Sequence, residues 1–445
     1  MRRAALVVAC ALLFGCSETA PARDQWVVVA STDAPIPQFG QLLYAEVLPQ
    51  SQSACPDCAR EFGAAEPSDW PLSFGVEPLP DGTAPLVDVF FFRASVAGSR
   101  GPTSDRAIEA LVHLPPAHGV TVVQVPLSMQ CFGVPANPAD GTSCDPSSGE
   151  LRVVTADATD VVPLSPDTWA AAAATGCAKT EPAMACIDAG EFLMGAPDYL
   201  PMGDASPFPE QLVTVDAFLM DQDEMTVGAL QTLIDAHLVA APPFDGDSTC
   251  TWNLGDPDLP VNCVTRAYAD GVCKAQGKEL PTEAQWEWAA GNGAQESAYP
   301  WLALPGTIPL CDAAIVGRAP SMDDDLNTSS ACRVADATGA MTPAAPVAGG
   351  SAFDMTGKCP ADGINCVANL GGNVGEWVQD NFVPYTDTTC WGLGSDVHSA
   401  PCLSGTMPVF RGGAWSSLPA AASATFRSYK TMDGASADVG FRCVE

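Results

Sequence analysis

Four short motifs, rich in glycine and in large side chains, follow one another in the C-terminal half of this 445-residue chain. They are residues 280–288 (LPTEAQWEW), 372–377 (GNVGEW), 411–417 (RGGAWSS) and 440–443 (GFRC). The first predicts a helix start, because proline presets the backbone angle φ, Thr282 can cap the first turn and glutamate suits its positive end. Each motif is short, but their number and order together constrain the fold more than any other feature.

In sequence and order, these motifs resemble the formylglycine-generating enzyme family, also called sulfatase-modifying factors. Residues 183–195 resemble the family's opening strand, and residues 223–226 resemble its turn before a helix that Thr226 would cap. The resemblance covers residues 186–445. It implies an α+β domain with the C-type-lectin-like fold of the family, which we place at residues 177–445.

The region before this domain has a different pattern. Residues 25–162 contain short β-branched and aromatic runs, at 26–29, 87–92 and 120–125, which glycine and proline separate. Short strands with long polar loops predict an all-β, sandwich-like domain. Residues 163–176 are the predicted linker between the two domains.

The first residues predict export. Two arginines precede a short apolar run (residues 4–14), and Cys16 then follows Leu-Phe-Gly in a sequence that resembles a bacterial lipobox. We expect a lipoprotein signal peptide at 1–16, lipidation of the Cys16 thiol and a tether at 17–24. The serine after this cysteine favours the outer membrane. No later run reaches the roughly 18 apolar residues of a membrane helix, so the acyl chains alone are predicted to anchor the protein.

Cysteine usage also suits an exported protein. Of eighteen cysteines, sixteen remain after Cys10 and Cys16, and an even number predicts disulfides, although spacing alone does not fix their connectivity. The resemblance to the family implies a further pair between Cys273 and Cys443. For Cys55 and Cys58, a structural disulfide is favoured over a redox or zinc site. The candidate local pairs are Cys131–Cys144, Cys177–Cys186, Cys250–Cys263, Cys359–Cys366 and Cys390–Cys402.

The family's reaction depends on two thiols. The resemblance implies an oxygen-dependent oxidation of a substrate cysteine, with copper held by the two thiolates. Ser417 and Ala422 stand at the corresponding positions, and residues 403–442 contain no cysteine. Because cuprous copper prefers soft sulfur ligands, we expect neither copper binding nor the family's activity.

Calcium is the cofactor that the sequence favours. The run Asn-Leu-Gly-Gly-Asn-Val-Gly-Glu-Trp resembles the family's calcium loop, in which hard oxygen donors would hold the ion. By position, the ligands would be the side chains of Asn369 and Glu376 and the carbonyl groups of Gly372 and Val374. A second calcium site of the family would fall near Asp312.

Three arginines near the C-terminus stand out in a chain with only 19 lysines and arginines. If Arg411, Arg427 and Arg442 are buried, each must pair with an acid or with carbonyl groups, and this structural role is preferred over anion binding. Four aromatic residues are candidates to line the groove that holds the substrate in the family. They are Trp377, Trp391, Trp415 and Tyr429.

The net charge of −34 argues against nucleic acid as a partner, since phosphate binding needs clustered lysine and arginine. We expect an outer-membrane lipoprotein whose C-terminal domain is a non-catalytic, calcium-stabilised module that binds a peptide, a glycan or an envelope protein. Two alternatives stay open. The first is a sulfatase-modifying or related enzyme that uses other residues, and the second is a purely structural envelope protein.

Overall fold

A computed structural model describes most of the chain. The predicted signal peptide with Cys16, the tether up to residue 23, and Cys359 lie outside the described residues. The described residues are 24–48, 58–78, 85–94, 102–116, 118–155, 162–169, 175–196, 207–243, 249–301, 310–320, 328–335, 337–341, 345–356, 366–391 and 397–445.

Nine strands lie in the described part of the N-terminal region. They are β1 (Gln25–Thr32), β2 (Leu42–Leu48), β3 (Ala59–Gly63), β4 (Leu72–Val76), β5 (Leu86–Phe92), β6 (Ala107–His113), β7 (Val120–Leu127), β8 (Thr142–Cys144) and β9 (Leu151–Val153). One sheet has the order β4-β1-β7, a second has the order β3-β2-β5-β6, and β8 pairs with β9. The predicted strands at 26–29, 87–92 and 120–125 correspond to β1, β5 and β7.

A single apolar core joins the two larger sheets. Alternate residues of β1, such as Val28, and of β5, such as Val89, are fully buried in it. This period of two is the pattern of strands that bury one face. Leu193 and Leu212 of the following region belong to the same core, so the two halves of the chain are packed together.

Nine more strands and four α-helices follow among the described residues. They are β10 (Met184–Ile187), β11 (Gly190–Met194), β12 (Gln211–Val215), β13 (Phe218–Asp221), α1 (Val227–Asp235), α2 (Arg266–Ala275), α3 (Glu283–Ala290), α4 (Leu310–Ala313), β14 (Gly375–Asn381), β15 (Val397–His398), β16 (Pro408–Arg411), β17 (Arg427–Tyr429) and β18 (Val439–Gly440). The sheets have the orders β10-β13, β11-β12-β15 and β17-β16-β14-β18. These small mixed sheets with short helices form an α+β arrangement.

Threonines fix where the three longer helices begin. Thr226, Thr265 and Thr282 each accept a hydrogen bond from a backbone N–H of the first turn of α1, α2 and α3. At Thr282 the side chain of Gln285 also accepts from the threonine N–H, which completes a capping box. The helix starts predicted at Thr226 and Thr282 are therefore confirmed.

Disulfides hold several loops. Cys58 and Cys366 are also disulfide-bonded, and Cys55 lies outside the described residues, as Cys359 does. The pair between Cys311 and Cys332 was not predicted. Five pairs that the sequence proposed are present: Cys131–Cys144, Cys177–Cys186, Cys250–Cys263, Cys390–Cys402 and Cys273–Cys443. Across the part of the chain that the structure describes, no helix has the length and apolar character needed to span a bilayer.

Candidate functional site

The centre of the C-terminal domain is a buried cluster of charged side chains. In the sheet β17-β16-β14-β18, the register places Arg427 opposite Arg411, and Arg411 opposite Glu376. Cross-strand partners share a face, so these three side chains form a row on one side of the sheet. Helix α3 faces this row with Glu283 and Glu287, which lie four residues apart and so project from the same side of the helix.

We call Glu283, Glu287, Arg411, Arg427 and Tyr385 the Glu283 cluster. Arg411 donates to Glu283 over 2.9 Å and also pairs with Glu287, while Arg427 Nε lies 2.7 Å from Glu283 Oε1. The Tyr385 hydroxyl donates to Glu283 over 3.2 Å, and its ring lies 4.1 Å below the Arg427 guanidinium. All five side chains are buried. Burial raises the pKa of Glu287, although the charge of Arg411 opposes this.

A second pair lies beside this cluster. Arg442 Nε donates to both carboxylate oxygens of Glu376, at 2.8 and 2.9 Å, and the indole N–H of Trp286 donates to Glu376 over 2.8 Å. Arg442 Nη2 donates to Glu376 Oε1 and to the Ala368 carbonyl group, each over 2.6 Å, and Nη1 donates to the carbonyl groups of Asp221 and Gln222. The three C-terminal arginines are thus fully buried and paired with acids, as the sequence predicted.

The predicted calcium ligands have protein partners here. Asn369 Oδ1 accepts from the Ser351 N–H over 3.0 Å, and its amide group donates to Glu224 over 3.4 Å. The Val374 N–H also donates to Glu224, and burial raises the pKa of this carboxyl well above its usual range. With Arg442 on both oxygens of Glu376, these contacts do not fit a calcium ion that Glu376 and Asn369 Oδ1 would share. The calcium site stays a prediction.

The structure places the other predicted metal positions nearby. Gly372 is buried in the same loop, and its backbone N–H donates to Asp354. The side chain of Asp312 is exposed, while its carbonyl group lies 3.4 Å from the Ser351 hydroxyl, which links it to the Asn369 loop. Among the described residues, no three histidine, cysteine or acidic side chains are arranged to hold a metal ion.

The two former thiol positions are buried and unreactive. The Ser417 hydroxyl accepts from the Ala414 N–H over 3.0 Å, and this serine is only 5% exposed. Ala422 is fully buried and packs with Cys332, which is disulfide-bonded to Cys311. Neither position presents a free thiol or an activated nucleophile.

A cavity of about 290 Å³ lies where the two halves of the chain meet, and residues 423–425, directly after Ala422, form part of its lining. Its apolar wall includes Phe192 and Ala424, and its polar lining residues are Arg93, Glu210, Glu287, Glu296, Ser297, Ser423 and Thr425. The Ser423 and Thr425 hydroxyls are 3.0 Å apart. A cavity of this kind, with few polar groups on an apolar wall, is a common form of ligand site.

Arg93 joins the two halves at one end of this cavity. It follows β5 and donates to Glu210 over 2.8 Å, and it also pairs with Glu296. The other Glu296 oxygen accepts from the Leu193 N–H over 2.9 Å. Burial raises the pKa of Glu210 to about 7, against the opposing effect of Arg93. No signal in the sequence predicts the contact between Arg93 and Glu210, because these residues are 117 positions apart.

The prediction for three of the aromatic residues is wrong. Trp377, Trp391 and Trp415 are buried in the domain core instead of lining a groove. The Trp377 indole donates to the Val264 carbonyl group, and such satisfied N–H groups let tryptophan lie inside a core. Tyr429 is half-buried and packs on Phe382.

These features define a sulfatase-modifying-factor-like α+β domain without its thiol pair. Residues 170–445 match the family described as "Sulfatase-modifying factor enzyme 1-like domain", and the chain belongs to this family.

Curated relatives carry the names of both active and inactive members. The chain is 28% identical over 215 residues to a formylglycine-generating enzyme of Mycobacterium tuberculosis, covering 45% of this chain and 61% of that protein. It is also 28% identical over 193 residues to an "Inactive C-alpha-formylglycine-generating enzyme 2" of Mus musculus, covering 42% and 49%. The solved structure of PvdO from Pseudomonas aeruginosa matches 59% of this chain and 93% of its own, with 20% identity and a TM-score of 0.40. The chain thus spans less than two thirds of these curated relatives.

Proposed function

We propose that this protein is an outer-membrane lipoprotein whose C-terminal domain binds a peptide or glycan and does not perform the family's cysteine oxidation. The observation that carries the proposal is the pair Ser417 and Ala422, which are buried, without thiols, and in contact with protein groups. The lipobox at Cys16 supports the envelope location, and the strands within 25–162 support a sandwich-like N-terminal domain. One relative is itself named inactive.

The absence of the thiol pair leads to a direct expectation for catalysis. Incubation with copper, oxygen and a sulfatase-derived peptide that contains cysteine should leave the peptide mass unchanged, and the protein should retain no copper after dialysis. The M. tuberculosis relative is the positive control, as its name states that activity. Aldehyde formation by this protein would favour the enzyme alternative, with residues that the family comparison does not reveal.

The cavity at the junction is where we place the ligand. Three carboxyl groups line it, and Glu287 is paired with Arg411 outside the lining. Glu210 and Glu296 share the single positive charge of Arg93, which leaves an excess of negative charge. Hydroxyl groups at Ser423 and Thr425 add hydrogen-bonding capacity. Carboxylates favour a cationic ligand group, and the single aromatic side chain offers little surface for a sugar ring. The lining therefore favours a peptide with a lysine or arginine side chain over an uncharged glycan.

Filling this cavity should remove binding without unfolding the protein. We expect Thr425→Trp to weaken binding of an arginine-containing peptide by at least about tenfold, a loss of roughly 1.4 kcal/mol. Fluorescence polarisation would measure peptide binding, a glycan array would test the glycan alternative, and Tm would check folding. Thr388→Trp, at an exposed position, is the control and should bind as the wild type does. Equal binding by both variants would place the ligand elsewhere.

Calcium removal tests the loop motif separately. Because Arg442 already neutralises Glu376, we expect EGTA to leave Tm unchanged and excess calcium chloride to have no effect. Differential scanning calorimetry of the intact protein would measure this. A fall in Tm on chelation that excess calcium reverses would instead establish the predicted ion.

A further inference from the structure

Two carboxyl groups face each other inside the N-terminal sheets. Asp88 lies on β5 and Glu109 on β6, and they are 7% and 3% exposed. The register pairs Glu109 with Phe90, while Val89 and Phe91 point into the core. Because neighbouring strand residues point to opposite faces, Asp88 and Glu109 lie together on the face away from that core. Their side chains are hydrogen-bonded to each other.

Neutral donors surround the pair instead of cations. Glu109 accepts from the Ser104 side chain and from the Ala136 backbone N–H, and Asp88 accepts from the Val89 N–H. One oxygen of each carboxyl, Asp88 Oδ1 and Glu109 Oε2, is buried without a hydrogen-bond partner. Within the described residues, neither carboxyl forms an ion pair with a lysine or arginine.

The charged and titratable groups around the pair do not compensate it. Glu46 lies opposite Asp88, and Arg60 lies on the other face of the sheet, paired with Ala45. The guanidinium of Arg106 lies over the ring of Phe208, 4.0 Å from its centroid. The other such groups on the elements packed here are Tyr44 on β2, Glu61 on β3, His113 at the end of β6, and Asp140 in the loop between the cysteines of the Cys131–Cys144 disulfide.

Two carboxyl groups in contact in a low-dielectric interior cannot both ionise without a large cost. We propose that Asp88 and Glu109 share one proton at neutral pH, and that losing it releases the loop between Cys131 and Cys144, so that the pair is a pH-sensitive switch. The shared proton bonds one carboxyl to the other. When it leaves to water, two negative charges remain in contact inside the protein, where they are poorly solvated. Opening the loop that covers Glu109 through the Ala136 N–H lets water solvate both carboxylates, so ionisation favours the open loop.

Hydrogen bonds join the loop between Cys131 and Cys144 to β6, the strand that carries Glu109. Besides Ala136, the Gly133 N–H donates to the Ala107 carbonyl group on β6, and the Leu111 N–H donates to the Ser143 hydroxyl. Burial and the charge of Glu109 raise the pKa of Asp88 to about 8, and burial raises that of Glu109. In the closed form the loop covers the carboxyl pair, and in the open form water reaches it. A raised pKa means that the closed form keeps its proton up to a higher pH than the open form does. Its extra stability is therefore complete in acid and is lost as the pH rises to about 8.

Amide hydrogen exchange of the full chain between pH 5 and pH 9 tests the proposal. After correction for intrinsic rates, protection of the peptide that contains Ala136 should fall about tenfold per pH unit up to about pH 8 and then level off. Asp88→Asn keeps a hydrogen-bonding side chain that cannot ionise, so in this variant only Glu109 titrates and the fall in protection should end at a lower pH than in the wild type. Glu61→Gln, an exposed acid on the same face, is the control and should behave as the wild type does.

Infrared spectroscopy gives an independent readout. At pH 7 the wild type should show the band of one buried protonated carboxyl that Asp88→Asn lacks. A protection profile that is flat in the wild type, or that falls up to the same pH in Asp88→Asn, would overturn the switch. Calcium or sodium that restores protection at pH 9 in the wild type, but not in Asp88→Asn, would also overturn the switch. The pair would then bind a cation.

Discussion

Glu283→Gln should lower the free energy of unfolding by about 3 to 5 kcal/mol, the cost of leaving a buried charge without its partner. Glu283 holds two arginines at once, Arg411 at 2.9 Å and Arg427 at 2.7 Å, and all three side chains are fully buried. The amide of glutamine keeps the shape but supplies no charge, so two guanidinium groups would share only the Glu287 carboxylate. Urea unfolding, followed by tryptophan fluorescence, would measure the loss.

An exposed ion pair of the same domain is the matched control. Lys274 pairs with Asp270 on the surface of α2, at 2.8 Å. Solvent screens such pairs, so Lys274→Ala should leave the unfolding midpoint within experimental error. If Glu283→Gln were equally silent, the cluster would be incidental to stability, and the domain would owe its rigidity to packing alone.

The sequence predicted that the C-terminal arginines, if buried, pair with an acid or with carbonyl groups, but it did not identify the partners. Burying an arginine demands a partner, and that requirement holds in any fold. The partners of Arg411 on α3 are 128 and 124 residues away, and only the sheet register brings them together. A usable signal was present on α3, where two glutamates four residues apart lie among tryptophans and alanines. Acids on an otherwise apolar helix favour a buried charge cluster.

Local signals predicted local structure well. Helix starts at Thr226 and Thr282 could be predicted because a cap needs only the threonine and the N–H groups of the next three residues. The sheet order β17-β16-β14-β18 could not, since it joins strands that lie far apart in the sequence. The tryptophans failed for a related reason. An indole suits a binding groove or a satisfied core position equally, and the partner that decides between them is distant.

The same limit applies to the candidate site. The resemblance located Ser417 and Ala422, but only the coordinates show that both are buried and that a disulfide packs beside Ala422. The calcium loop was predicted from its sequence, whereas the contact of Arg442 with Glu376 joins residues 66 positions apart. The cavity at the junction depends on Arg93, which lies outside the family domain and could not be associated with it from the sequence.

Removing the disulfide between Cys273 and Cys443 should have the largest effect of any disulfide pair described above. It closes a loop of 170 residues, so its loss should destabilise the protein by about 5 kcal/mol through the entropy of the unfolded chain. Both cysteines are also fully buried, between α2 and the C-terminal strand region. The variant Cys273→Ala with Cys443→Ala tests this by urea unfolding under non-reducing conditions.

The comparison that isolates loop length uses Cys250→Ala with Cys263→Ala. These cysteines are 13 residues apart, and a loop of that size predicts a loss of about 3 kcal/mol. Because both double variants replace cysteine by alanine at mostly buried positions, the side-chain terms largely cancel in the difference. A smaller loss for the long loop than for the short one would mean that the reduced chain keeps residual structure near Cys443. The C-terminal strand would then stay attached through Arg442 and Glu376, without help from the disulfide.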